Sequence, residues 1–164
     1  MQIKLENVNP KSNSGPNYFS NKLVKYLKKI DPDCITDSNP DVTLCFTETR
    51  GKKSSRLIQR LDGIWFNSDT NYRSMNSNYE RTYRMADGVI YQSRFDQELI
   101  EYHFGQHENT IVINNGSDID LISAVEPYNG PFVDGADNVW CCASHFAGRH
   151  HKRLYENIRY FLEH

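Results

Sequence analysis

The sequence has no long hydrophobic run and no excess of charge of one sign. No apolar stretch approaches the ~18 residues of a membrane span, and the start at Met1–Lys4 lacks the apolar segment of a secretory signal. Lys and Arg number 19 against 21 Asp and Glu, a net charge of -2, so no overall positive field attracts nucleic acid. We therefore expect a cytoplasmic protein without a membrane span or a nucleic-acid partner.

The sequence also lacks the motifs of metal, disulfide and dinucleotide sites. Its cysteines contain no CxxC spacing, so we expect buried, reduced thiols rather than zinc ligands or disulfides; they are Cys34, Cys45, Cys141 and Cys142. Three histidines near the C-terminus do not form a zincin motif, and we expect no metal. No GxGxxG follows the first predicted strand, which argues against a dinucleotide-dependent oxidoreductase.

What is present is enough apolar material for a folded core. Of the 164 residues, 38% are hydrophobic and 12% are aromatic, which makes wholesale disorder implausible. This length fits one domain, or one domain with a piece of another.

Hydrophobic periodicity predicts alternating strands and helices. The clearest stretch runs from a strand at 88–92 through a helix at 95–104, closed by Gly105, to a strand at 110–113. Strand, helix and strand at this spacing predict a parallel sheet, so the fold class is α/β, Rossmann-like, with helices on both faces. Other predicted elements are strands at 2–8, 42–46 and 57–61, a helix at 18–30, a long loop at 67–78 and a helix from Tyr79.

The predicted domain organisation has three parts. Residues 1–125 form the Rossmann-like domain, and residues 126–137, with two Pro and two Gly, form a linker. Residues 138–164 contain a buried-type strand at 139–143 and a helix at 152–162, which we interpret as the first strand–helix unit of an incomplete second domain. Its unpaired apolar strand predicts self-association into a homo-oligomer.

Ligands of parallel α/β sheets bind where loops leave the carboxyl ends of strands. This rule selects the loop 12–17 around Gly15, the segment 60–63 with Arg60 and Asp62, and the turn 113–118 with Asn115. Small residues can admit a phosphate, and the polar side chains can hold sugar hydroxyls. The structural alternatives are a plain connector, a surface ion pair beside a turn glycine, and a tight turn stabilised by side-chain amides.

A fourth loop, at 144–153, carries two cations at the start of a helix. Arg149 and Lys152 are three residues apart, so both can face one anion that also meets the free N–H groups of the helix. The alternative is a solvated basic helix start. The neighbouring Arg153 is expected to point away from that pair.

Four ordered segments together resemble the GT-B glycosyltransferases of the large retaining "group 1" family. Three resemble its N-terminal domain: RLDGIWFN at 60–67, ADGVIYQSRF at 86–95 and INNG at 113–116. The fourth, CASHFAGRHHKRL at 142–154, resembles the first strand and phosphate-binding turn of the family's C-terminal domain.

The resemblance implies two Rossmann-like domains facing a cleft, with the acceptor on the N-terminal side and a nucleotide-sugar donor on the other. It implies that Arg149 and Lys152 contact the donor diphosphate, with Gly15 opposite them. Arg60 and Asn115 would lie in the acceptor-side loops, and Asp62 would be a catalytic residue there. Two cations can stabilise a departing diphosphate, so no metal or other cofactor is expected.

The sequence departs from the family pattern in one respect. The paired-glutamate motif that flanks the donor sugar has no counterpart in these 164 residues. We therefore expect a glycosyltransferase fragment that is inactive alone. Two alternatives remain: a non-catalytic module that binds a sugar or nucleotide, and an unrelated flavodoxin-like or Rossmann-like domain.

Overall fold

Five parallel strands form one sheet in the computed structural model, which describes residues 1–12, 14–53, 55–127 and 153–163. The elements are β1 (Ile3–Glu6), α1 (Gly15–Ile30), β2 (Val42–Phe46), β3 (Arg56–Leu61), α2 (Tyr72–Met85), β4 (Gly88–Tyr91), α3 (Arg94–Phe104), β5 (Thr110–Val112), α4 (Ile119–Ser123) and α5 (Leu154–Glu163). The chain divides into two units, Met1–Ile122 and Ser123–His164. The first contains the sheet.

The sheet has the order β1-β2-β3-β4-β5, and every pairing is parallel. The α/β prediction is confirmed. The strand predicted at 42–46 is β2 with the same bounds, and the helix predicted at 95–104 is α3, which ends at Gly105 as expected. The run VTLCF is apolar except for Thr43, because β2 lies between two neighbouring strands and side chains pack on its faces.

A single β-bridge between Ile3 and Ile35 shows that the chain places backbone on both sides of β1 in the sheet. Ile3 donates its N–H to the Cys34 carbonyl (2.7 Å) and accepts from the Thr36 N–H (3.0 Å). Gln2, whose carbonyl points to the opposite side, accepts from the N–H of Val42. After α1 the chain therefore touches the outer side of β1 before it returns to the other side as β2.

Because the chain crosses over to both sides of β1, its helices cover both faces of the sheet, as predicted. From α1, Phe19 contacts Phe46 on one face, with ring centroids 6.2 Å apart. On the other face α2 and α3 cover one apolar cluster. The cluster consists of Leu61, Ile64, Tyr83, Val89, Tyr91, Ile100 and Phe104.

Two helix starts differ from the sequence prediction. The segment predicted as a loop at 67–78 is helical from Tyr72, because Asn71 caps α2 by accepting a hydrogen bond from the Ser74 N–H (3.2 Å). The helix predicted from Tyr18 begins at Gly15, with Pro16 in its first turn. In both cases the first turn has too few apolar residues at helical spacing to predict a helix.

Some expectations fall on residues that the structure does not describe. They concern most of the 126–137 linker, the strand at 139–143, and Arg149 and Lys152. Cys34 and Cys45 are free and buried, as expected. Within the described residues, no helix has the length and apolar character needed to cross a membrane.

Candidate functional site

Hydrogen bonds connect polar side chains at the carboxyl ends of β3, β4 and β5. The Arg60 guanidinium donates to Asn115 Oδ1 (2.7 Å), and Asn115 Nδ2 donates to Gln92 Oε1 (2.9 Å). Gln92 Nε2 in turn reaches the Asp62 carbonyl at 3.5 Å. We call these four residues the carboxyl-edge network.

Arg60 is the buried member of this network. Its side chain is only 4% exposed, and its guanidinium carbon lies 4.0 Å from the centre of the Phe19 ring, a cation–π contact. One nitrogen, Nη1, has no hydrogen-bond partner and lies 3.8 Å from Asp62 Oδ2. Burial lowers the pKa of Arg60, and the Asp62 charge opposes that shift. The carboxyl ends of the strands therefore hold a buried guanidinium with one nitrogen, Nη1, that makes no hydrogen bond.

Asp62 supplies the carboxylate of the site. Its side chain is 24% exposed, so it can reach a ligand. Burial raises the pKa of this carboxyl, while the nearby Arg60 charge lowers it, and the net direction is upward. A carboxylate with this partial burial can accept a hydrogen bond from a ligand hydroxyl.

The ends of β1 and β2 extend the polar edge. Asn7 and Thr47 both have positive φ, 59° and 66°, and Asn7 Nδ2 donates to Thr47 Oγ1 (3.0 Å). Gln59 Nε2 donates to the Thr47 carbonyl (2.5 Å). A β-branched residue with positive φ is uncommon, and such strained positions occur often at ligand sites.

The structure brings together three of the residues predicted from sequence: Arg60, Asp62 and Asn115. Gly15 instead starts α1, and a Cβ added there would meet nothing within 4 Å, so this position does not sterically require glycine. Arg149 and Lys152 lie outside the described residues, and their predicted role stays a prediction.

Sequence patterns do not single out three further residues of this edge, namely Gln92, Thr47 and Asn7. Each directly follows a strand in the structure, so the rule that selected Arg60–Gly63 also applied to them. Gln92 and Asn7 fall within the strands predicted at 88–92 and 2–8, and Thr47 follows a mostly apolar run with no glycine to mark a turn.

In the part of the chain that the structure describes, no group of three or more His, Cys, Asp or Glu side chains could hold a metal ion. Comparison of the chain with protein-family models, curated proteins and solved structures finds no match.

Proposed function

We propose that this chain is the acceptor-side part of a retaining glycosyltransferase with the GT-B architecture, which transfers a sugar from a nucleotide-sugar donor to an acceptor. The main support is the carboxyl-edge network. It joins Arg60, Asn115 and Gln92, which come from three separate segments of the sequence resemblance, at one edge of a parallel sheet. That edge is where parallel α/β folds bind ligands.

In this proposal each network residue has a distinct task. Asp62, the partly exposed carboxylate, accepts a hydrogen bond from the acceptor hydroxyl and orients it toward the donor sugar. Arg60 is a positioning residue, because its guanidinium faces Asp62 and holds Asn115 while its own side chain is buried. Gln92 joins the Asn115 side chain to the Asp62 backbone.

The donor side of the proposal rests on the sequence alone. Arg149 and Lys152 would bind the donor diphosphate with Gly15 opposite, and no cofactor would be needed. Because the paired-glutamate motif has no counterpart in this sequence, we expect the 164-residue chain alone to transfer no sugar. A sugar- or nucleotide-binding module without turnover is the second candidate, and the missing paired-glutamate motif favours it, because binding at the strand ends does not require that motif.

Nuclear magnetic resonance of the ¹⁵N-labelled chain tests the acceptor site. Neutral monosaccharides and disaccharides are titrated at millimolar concentration, and we expect amide shifts concentrated at Asp62, Gln92 and Asn115. Asn115→Ala should weaken this response, whereas Asn109→Ala, which removes a side-chain contact to the Asp87 carbonyl, should not. Saccharide shifts that avoid the strand ends, or none with any saccharide, would contradict the proposal.

A transfer assay distinguishes the two candidates. The chain is combined with a separately produced donor-side domain of a GT-B enzyme, and the release of nucleoside diphosphate is measured with and without Asp62→Asn. Loss of turnover with little change in saccharide affinity indicates a catalytic Asp62. Saccharide binding without any turnover favours the binding module.

A further inference from the structure

Two large aromatic side chains stand exposed next to each other between β3 and α2. Trp65 is 48% exposed and Phe66 is 58% exposed. They follow Asp62 and Gly63 in the loop that leaves the carboxyl end of β3. Single exposed apolar residues are ordinary, whereas an adjacent aromatic pair beside a polar edge indicates a contact surface.

The backbone of this aromatic pair is fixed. Gly63, with φ at 130°, makes the turn, and Ile64 is buried in the cluster beneath α2. The Trp65 N–H donates to Asn76 Oδ1 (2.9 Å), and Asn76 Nδ2 donates back to the Trp65 carbonyl (2.6 Å). Asn76 is 3% exposed. Both polar atoms of this buried amide on α2 therefore bond the backbone of one loop residue, Trp65.

The indole itself is also positioned at the strand ends. Tyr79, from α2, lies beside both side chains: burial raises the pKa of its hydroxyl, and the neighbouring Thr47 and Trp65 side chains lower it. The charges of Glu48 and Asp62 act on the same hydroxyl and raise its pKa. Trp65 therefore lies near the ends of β2 and β3, and the Asn76 hydrogen bonds to its backbone fix the point from which the exposed indole extends.

The composition of the loop decides between ligands. Residues 62–71 contain two carboxylates, Asp62 and Asp69, with several amides and hydroxyls, and no Lys or Arg. Protein segments that bind an anionic membrane surface carry Lys or Arg beside their aromatic residues. This loop has neither, so it does not suit such a surface. A sugar ring has an apolar C–H face and a rim of hydroxyls, and that combination matches an indole flanked by carboxylates and amides.

We propose that Trp65, with Phe66 beside it, is the stacking platform for a neutral pyranose ring of the acceptor. This inference rests on the proposed function and makes it more specific, because it names the acceptor class and its binding residue. The indole covers the apolar face of the ring, and Asp62 receives one of the hydroxyls at its rim.

Tryptophan fluorescence and NMR of the full chain test this platform. The chain has two Trp residues, so Trp140→Phe leaves Trp65 as the fluorescent reporter. The probes are methyl glucosides, galactosides and mannosides. We expect at least one to change the Trp65 emission and to shift the Asp62 and Gln92 amides. In the chain with Trp140 retained, Trp65→Leu should weaken that shift-derived affinity about tenfold, or about 1.4 kcal/mol, and Trp65→Tyr should restore part of it.

Matched controls separate the outcomes. Tyr102→Leu removes an aromatic side chain that is 85% exposed on α3 and should leave the affinity unchanged. If pyranosides shift the Asp62 and Gln92 amides while Trp65→Leu binds them equally well, the platform is wrong and the proposed function stands. If no pyranoside binds, the platform is overturned. If vesicles of anionic phospholipid change the emission and pyranosides do not, the loop binds membranes instead.

Discussion

The apolar cluster beneath α2 and α3 and the carboxyl-edge network use the same strands. They differ in how completely their buried polar groups are hydrogen-bonded. Leu61 is fully buried in the cluster, while its chain neighbours Arg60 and Asp62 belong to the network. Within the cluster even the polar Tyr83 hydroxyl is bonded, to Tyr91 (3.0 Å) and to the Gly105 carbonyl (2.9 Å). The network keeps an unpartnered Arg60 nitrogen. From this difference we expect most of the stability to come from the cluster, whereas the edge is where the proposed ligand site lies.

The largest effect on stability is expected inside the cluster. Ile100 is fully buried, so Ile100→Ala leaves a cavity and should lower the free energy of unfolding by about 2–5 kcal/mol. Urea denaturation followed by circular dichroism measures this. Tyr102→Ala, two positions along α3 and exposed, is the control and should change stability by less than about 0.5 kcal/mol. Similar losses in both variants would show that the cluster is not the main source of stability.

An intermediate effect is expected at the turn between the two regions. Gly63 has φ at 130°, where an L side chain is strained, so Gly63→Ala should cost about 1–3 kcal/mol. It should also displace the Trp65 loop and weaken pyranoside binding. Thermal denaturation checks the first expectation.

Gly15→Ala is the matched glycine variant. Its Cβ enters open space at the start of α1, and alanine is the better helix former, so stability should stay equal or rise. A large loss of stability in Gly15→Ala, or none in Gly63→Ala, would contradict the expectation that only the backbone at Gly63 requires glycine.

The smallest effect is expected at the edge, and it depends on pH. The folded-state pKa of Asp62 is raised, so its ionisation opposes folding. As pH rises from about 3.8 through the raised pKa, Asp62 ionises and the free energy of unfolding of the wild-type chain falls. Asp62→Asn carries no ionisable group at this position and does not show this fall. The variant should therefore gain stability relative to wild type across that window, by about 1 kcal/mol or less because Arg60 loses its counter-charge.

Asp87 provides a control of opposite sign. The Lys53 side chain, bonded at 2.5 Å, is the main cause that lowers the pKa of this carboxyl. Its ionisation supports folding above the ordinary carboxyl pKa, and this support is lost as pH falls through the lowered value. Asp87→Asn should lose stability relative to wild type as pH rises. Urea titrations at several pH values measure both variants, and slopes of the same sign would contradict the assignment.

The sequence predicts elements that depend on apolar residues, and it fails where polar residues are buried. VTLCF predicts β2 because few alternatives accommodate four apolar residues and one threonine within five positions. The first half of α2 has almost no apolar period, since Asn76 is buried through hydrogen bonds to the Trp65 backbone rather than through hydrophobic contact. Partners eleven positions apart in the chain do not show in a local pattern.

The candidate site divides in the same way. Arg60, Asp62 and Asn115 can be selected from sequence because each lies at a strand end next to a turn residue. That Arg60 contacts Asn115 depends on the registers of β3, β4 and β5, which place these ends side by side. The left-handed backbone at Thr47 depends on contacts from Asn7 and Gln59, and no motif within its own segment announces it.

The strand order also shapes how the chain can fold. From β2 to β5 each strand pairs with the next strand in the sequence, so these pairings close comparatively short loops. β1 is different, because both of its neighbours, Ile35 and β2, lie beyond α1. Docking of β1 therefore carries the largest loop-closure entropy in the sheet, and it completes the edge at which Asn7 meets Thr47. We therefore expect the contact of Asn7 with Thr47 to form after the carboxyl-edge network, which needs only β3, β4 and β5.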